Sequence, residues 1–166
     1  MTLQIGYRNA MADLHTELHA ALHAVMSASP RTRFMPPPVM EHLEMTFTAY
    51  QAGQSLRAAF PARHPFANSA GIVQGGILCA SLDCIYGSLA VLATRAPCVT
   101  LTLNCTYLRP VPADERPYFV EVRLSEVEGR LIHMEGGVID QEGAVAVTST
   151  STMKTVREPL NTTREA

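Results

Sequence analysis

Asp83 is the only formally charged side chain between Arg63 and Arg95, and it stands in the apolar run Gly75-Gly-Ile-Leu-Cys-Ala-Ser-Leu-Asp-Cys-Ile-Tyr-Gly-Ser-Leu-Ala90. A carboxylate among apolar neighbours carries a desolvation penalty, so it should be paired, neutral or kept for chemistry. The turn before the run, Gly71-Ile-Val-Gln-Gly-Gly76, adds a second chemical feature. If a helix starts there, its first amides have no partner within the helix, and its dipole places partial positive charge on them. A carboxylate and a set of free amide donors suit a reaction in which a carbonyl is polarised and attacked.

Those residues need a frame. Leu78, Leu82, Ile85, Leu89 and Leu92 keep helical spacing, which predicts a helix from about Gly76 to Thr94 with almost no charge on any face. Such a helix is expected to be buried on all sides. Its length raises a membrane span, but Gln74, the paired glycines and Asp83 would be costly at mid-bilayer, so a core helix is the better account. From Val99 onward the period changes to two, in Val99–Tyr107, Phe119–Leu124, Leu131–Asp140 and Ala144–Met153, with turns at Glu128-Gly-Arg130 and Gln141-Glu-Gly143. Short connections predict an antiparallel meander of about four strands. Leu43–Tyr50 and Gln54–Phe60 form a plausible hairpin upstream around Ala52-Gly53. One buried helix against one curved antiparallel sheet is an α+β architecture in which the sheet wraps the helix.

An amphipathic helix from about Arg8 to Met26 precedes this unit, with His15, His19 and His23 on one stripe. No cysteine or carboxylate cluster completes a ligand set around them, so a polar face is expected rather than a metal site. The run Ser29–Pro38 then reads as a stiff connector. The expected organisation is residues 1–38 as helix and connector, 39–157 as the main domain and 158–166 as a tail. A net charge of -2 gives no electrostatic reason to bind nucleic acid. The start of the chain lacks the basic and apolar regions of a secretory signal, which makes the cytoplasm the default location. Cys79, Cys84, Cys98 and Cys105 have no zinc-ligand spacing and are expected to be small buried thiols.

The ordered string Asn68-Ser-Ala-Gly-Ile-Val-Gln-Gly-Gly-Ile-Leu-Cys-Ala-Ser-Leu-Asp83, followed by Val99-Thr-Leu-Thr-Leu-Asn-Cys-Thr-Tyr-Leu-Arg-Pro110, resembles the hot-dog-fold thioesterases of the phenylacetate-degradation (PaaI-like) type. The likeness covers roughly Leu43 to Met153. It implies a hot-dog fold, hydrolysis of acyl-CoA thioesters without a cofactor, and dimers or tetramers with sites shared between subunits. It also implies that Asn68 orients the substrate carbonyl or the water, and that Thr100 lies near the water; Asn68 as a loop cap and Thr102 in place of Thr100 stay open. Gln74 departs from the family pattern, which has histidine before the paired glycines. Gln cannot take up a proton near neutral pH, although it donates and accepts hydrogen bonds.

Under that resemblance the amides of Gly75 and Gly76 would polarise the thioester carbonyl, and Asp83 would be general base or nucleophile. Geometry adds a constraint. Eight residues of helix separate Gly75 from Asp83 by about 12 Å, too far for both to reach one carbonyl. Two copies with antiparallel helices about a two-fold axis would bring the amide of one to the carboxylate of the other. Two other functions compete: a non-catalytic acyl-CoA-binding module, for which Gln74 argues, and a hydratase or dehydratase, which would pair a histidine with a carboxylate. No histidine lies between His64 and His133. Arg109, Lys154 and Arg157 are basic residues near the expected tunnel mouth, none singled out for CoA. Acyl specificity is not encoded in any motif.

Overall fold

A computed structural model describes residues 2–30 and 32–156, the first eight of these by backbone alone. Arg157 and the tail 158–166 lie outside the described residues. The chain runs α1 (Thr2–Met26), α2 (Pro38–His42), β1 (Thr46–Gln51), β2 (Ser55–Pro61), α3 (Gly75–Thr94), β3 (Cys98–Tyr107), β4 (Pro117–Glu128), β5 (Leu131–Ile139) and β6 (Val145–Thr155), with a short 3-10 turn at His64–Phe66. All strand pairs are antiparallel, in the order β1-β2-β4-β5-β6-β3. One helix held in one curved sheet, with an added N-terminal helix, is the expected hot-dog architecture.

The order corrects the expected four-strand meander. Of the four strands after α3 only β4, β5 and β6 follow one another across the sheet, while β3 lies at the far edge beside β6. Pro110 and Pro112 lie in the β3–β4 connection, which carries the chain away from that edge to pair β4 with β2. The connector is not extended throughout. Pro38 opens α2, where a fixed φ and a missing N–H suit the first helical turn, so β1 begins at Thr46 rather than Leu43.

The sheet closes around α3 through a core that includes Phe47, Leu56, Phe60, Leu82, Ile85, Leu89, Val120, Val122 and Ile132. Buried polar atoms pin the helix rather than loosen it. The Ser81 hydroxyl lies 2.7 Å from the Tyr118 hydroxyl on β4, and the Tyr86 hydroxyl lies 2.8 Å from the Ser149 hydroxyl on β6. Each pair satisfies two groups that would otherwise cost about 1–3 kcal/mol apiece to bury. α3 meets the length and hydropathy of a membrane span, but most of it is buried by the sheet and α1.

α1 packs on β1 and α3, with Leu18 and Leu22 joining the core. Its histidine stripe is solvated only in part: His23 is exposed, whereas His15 and His19 are half-buried. The Phe47 N–H donates to His15 Nδ1 at 3.1 Å, and the rings of His15 and His19 sit 5.6 and 5.5 Å from the Phe47 ring. Among the described residues no group of three histidine, cysteine, aspartate or glutamate side chains is arranged to hold a metal ion. Of the four cysteines only Cys84 is buried; Cys79 on α3 and Cys98 and Cys105 on β3 are half-buried.

Candidate active site

The segment from Asn68 to Gly76 is tied down by its own main chain. Gly71 takes φ +72, and its N–H donates to Asn68 O at 3.0 Å, while the Asn68 N–H returns to Ile72 O at 2.8 Å. A non-glycine residue would be strained there. The Val73 N–H then donates to Val111 O at 2.8 Å and the Gln74 N–H to Phe66 O at 2.9 Å. These bonds fix the direction in which α3 begins.

At that start the amides are unequally used. The N–H groups of Ile77 and Leu78 both donate to Gln74 O, at 2.8 and 3.3 Å. The N–H groups of Gly75 and Gly76, one half-buried and one exposed, have no partner among the described residues. Gln74 contributes no side-chain cap. Two adjacent free amides at the positive end of a 20-residue helix form a donor pair suited to a carbonyl oxygen that gains negative charge.

Asp83 is exposed, which corrects the expectation of a helix buried on all sides. The sheet covers one side of α3, and the stripe Gly76, Cys79, Ala80, Asp83 and Gly87 is left uncovered or half-covered. The Asp83 carboxylate is nonetheless held. The Thr100 hydroxyl donates to its Oδ1 at 2.7 Å, so Thr100 is the threonine that meets Asp83. Thr102 instead uses its carbonyl oxygen to accept from the Ser151 hydroxyl at 3.0 Å. A bulge between Thr100 and Thr102 shifts the strand at this point and separates the two.

Asn68 serves as a loop cap: its Oδ1 accepts from the N–H groups of Ala70 at 2.9 Å and Ile72 at 3.4 Å. That anchors the side chain and leaves its NH₂ as the group able to face a ligand. Tyr107, which the sequence offers as a strand end and as part of the Tyr-Leu-Arg-Pro110 string, donates from its hydroxyl to Gly75 O at 2.8 Å. The signal for it was the period of β3, which places positions 103, 105 and 107 on one face.

The thiols nearby do not supply a competing nucleophile pair. Burial pushes Cys84 up to about 12, with Asp83 adding to the shift, and burial beside Cys79 pushes Cys105 up to about 11. Both stay protonated at neutral pH. Arg109 lies 4.0 Å from Asp140, which is occupied in the β5–β6 turn. A trough of about 630 Å³ opens on the outer face of the sheet over Gly136 and Gly137, but none of the candidate residues lines it. The candidate chemistry lies on the open flank of α3 instead.

A family model described as the thioesterase superfamily matches residues 70–147, the span from the loop before α3 to the start of β6. A solved structure of a phenylacetic acid degradation-related protein from Ralstonia eutropha JMP134 is 33% identical, covers 75% of this chain and 94% of its own, and superposes with a TM-score of 0.65. The chain belongs to the thioesterase superfamily. Thioester hydrolysis is the activity that membership in this superfamily supports, and the hot-dog thioesterases of the phenylacetic acid degradation type are among its structural neighbours. Two neighbours of lower identity speak to the fold alone. The phenylacetic acid degradation protein PaaI of Thermus thermophilus, in a mutant form, is 24% identical with a TM-score of 0.63, covering 72% of this chain and 100% of its own. A thioesterase from Haemophilus influenzae is 18% identical with a TM-score of 0.67, covering 75% and 85%. No match is found among the curated proteins.

Proposed function

We propose that this thioesterase-superfamily protein hydrolyses acyl-CoA thioesters to free acid and CoA in the cytoplasm, at a site completed by two copies of the chain. The observation that carries this is Asp83, held by Thr100 at 2.7 Å on the uncovered stripe of α3, with the free amides of Gly75 and Gly76 at the start of the same helix. Helical rise puts about 12 Å between Gly75 and Asp83, so one chain cannot aim both at one carbonyl.

The surface beside the stripe supports a second copy. β3 is an edge strand, and Val99, Leu101, Tyr107 and Leu108 along it are 48%, 51%, 51% and 57% exposed. An apolar, unpaired edge invites pairing. A two-fold partner laid along β3, with its α3 antiparallel, would cover this edge and bring its Gly75 amide to Asp83. A dimer is the minimum assembly, and a tetramer is compatible with it.

In that arrangement the thioester oxygen accepts from the Gly75 and Gly76 amides of one chain. Asp83 of the other removes a proton from water as it attacks the carbonyl carbon, or attacks directly to give an anhydride that water then opens. In both routes the C–S bond breaks, a C–O bond forms, and the proton taken from water ends on the CoA thiolate. Asn68, through its NH₂ group, and Gln74, through its amide, orient the carbonyl or the water.

The test is thiol release from a panel of short, medium and aryl acyl-CoAs, with Asp83→Ala as control. Turnover that disappears in the variant supports the proposal. No turnover on any substrate would favour an acyl-CoA-binding module, and turnover unchanged in Asp83→Ala would remove Asp83 from the chemistry.

A further inference from the structure

Tyr107 closes β3 with half of its surface open, at 51% exposure, yet its hydroxyl donates to the Gly75 carbonyl oxygen at 2.8 Å. In the single chain an exposed phenol has water to bond, and a carbonyl in the first turn of an α-helix already has the ladder bond from four residues on. Folding alone therefore does not call for this contact. The ring is also matched to the residue it meets: a Cβ on Gly75 would lie 3.2 Å from two carbons of the Tyr107 ring, tighter than nine in ten real contacts. Glycine at position 75 leaves the space in which the ring lies.

The peptide group whose oxygen takes the Tyr107 hydrogen bond is the one whose nitrogen belongs to Gly76. That N–H is one of the two without a partner at the start of α3. A hydrogen bond to a peptide oxygen draws electron density from the peptide nitrogen and makes its N–H a stronger donor, so successive hydrogen bonds reinforce one another. The contact also fixes the plane of the peptide, and so the direction of the N–H, at the most easily frayed part of the helix.

We infer that Tyr107 is a positioning residue for thioester cleavage: its hydroxyl, acting through the Gly75–Gly76 peptide, aims and polarises the Gly76 amide at the oxygen that becomes negative in the transition state. This rests on the thioesterase function proposed above. A donor strengthened in this way favours the transition state over the ground state, because the oxygen gains charge only as the carbonyl is attacked.

Tyr107→Phe keeps the ring against Gly75 and removes only the hydroxyl. Its kcat for acyl-CoA hydrolysis is expected to fall about three- to tenfold with KM unchanged, the size of one neutral hydrogen bond. The Gly76 amide proton in the NMR spectrum should move to lower frequency in the same variant, while the melting temperature stays close to wild type. The amide shift is read without substrate, so it decides the polarisation even if the wild-type protein releases no thiol from any acyl-CoA, an outcome that would instead overturn the proposed function. An unmoved Gly76 amide would overturn the inference whatever happens to kcat. A moved amide with unchanged kcat would overturn it too, since the polarised donor would then not be used.

Discussion

The two halves of α3 have similar composition and opposite surroundings. From Ser88 to Leu92 every residue is buried, whereas between Gly75 and Gly87 the helix leaves Gly76 and Asp83 exposed and Cys79, Ala80 and Gly87 half-covered. α1 also packs on α3, and Met26 at its end lies with Pro97 and Cys98 around one cavity just past the end of α3. The near half carries the open stripe of Gly76 and Asp83. An apolar run can thus serve as core along one stretch and as an interface with a reactive carboxylate along the next, and what decides is the element laid over it.

The comparison separates function from stability, which gives ways to break it. Asp83→Ala should lower kcat by about 10²- to 10⁴-fold, the range for a positioned acid or base, while shifting the denaturant midpoint very little. Leu89→Ala, in the closed half, should do the reverse. It removes a fully buried side chain and should cost about 2–5 kcal/mol in urea unfolding, with kcat of the folded enzyme nearly intact. If Leu89→Ala were as damaging to kcat as Asp83→Ala, the two halves would not divide the labour as described.

A smaller effect is expected on assembly. Leu101→Glu places like charges near the proposed two-fold edge, and sedimentation should show the dimer weakened by roughly tenfold or more, with specific activity that recovers as protein concentration rises. Activity lost without a change in sedimentation would argue against the shared site.

The smallest effect concerns α1, which packs on β1 and α3. His15 accepts the Phe47 N–H at Nδ1, which requires an unprotonated nitrogen, and burial together with neighbouring His19 holds its pKa below the usual histidine value. The same face carries His19 and Glu41, and Glu41 raises the His19 value against its burial. An unfolded chain takes up the His15 proton near the ordinary value of about 6.5 while the folded chain resists it, so this contribution is full above that pH and is lost as pH falls through the lowered value. The melting temperature should fall modestly on acidification below neutrality, and His15→Gln should flatten that slope.

Much of the arrangement was legible in the residues. The helical spacing of Leu78 to Leu92 located α3 to within a residue, and the Asn68 to Asp83 string pointed to the free amides that the structure places at its start. The edge position of β3 was not legible, because alternation fixes which residues share a face and says nothing about which strand is the neighbour. Asp83 was expected to be buried for a related reason. Hydrophobicity along a helix records that something covers it, without recording whether the cover belongs to the same chain. The period of β3 and the Tyr-Leu-Arg-Pro string mark the place of Tyr107 but not its partner, because its contact with Gly75 joins residues 32 positions apart and no local pattern encodes such a pair.

The central claim is that Asp83 of one chain works with the Gly75 amide of another, and inactive variants can test it in combination. Gly75→Pro removes that amide, Gln74 before it already having the extended ψ of 133 that a following proline needs, and its Cβ also presses on the Tyr107 ring, so the variant disables the whole amide end of the site. A heterodimer of one Asp83→Ala chain and one Gly75→Pro chain, purified through two different tags, should contain one intact site and one doubly disabled site. It should therefore hydrolyse acyl-CoA at about half the wild-type rate per dimer, although either homodimer is nearly inactive. A heterodimer no more active than the two homodimers would contradict the shared site.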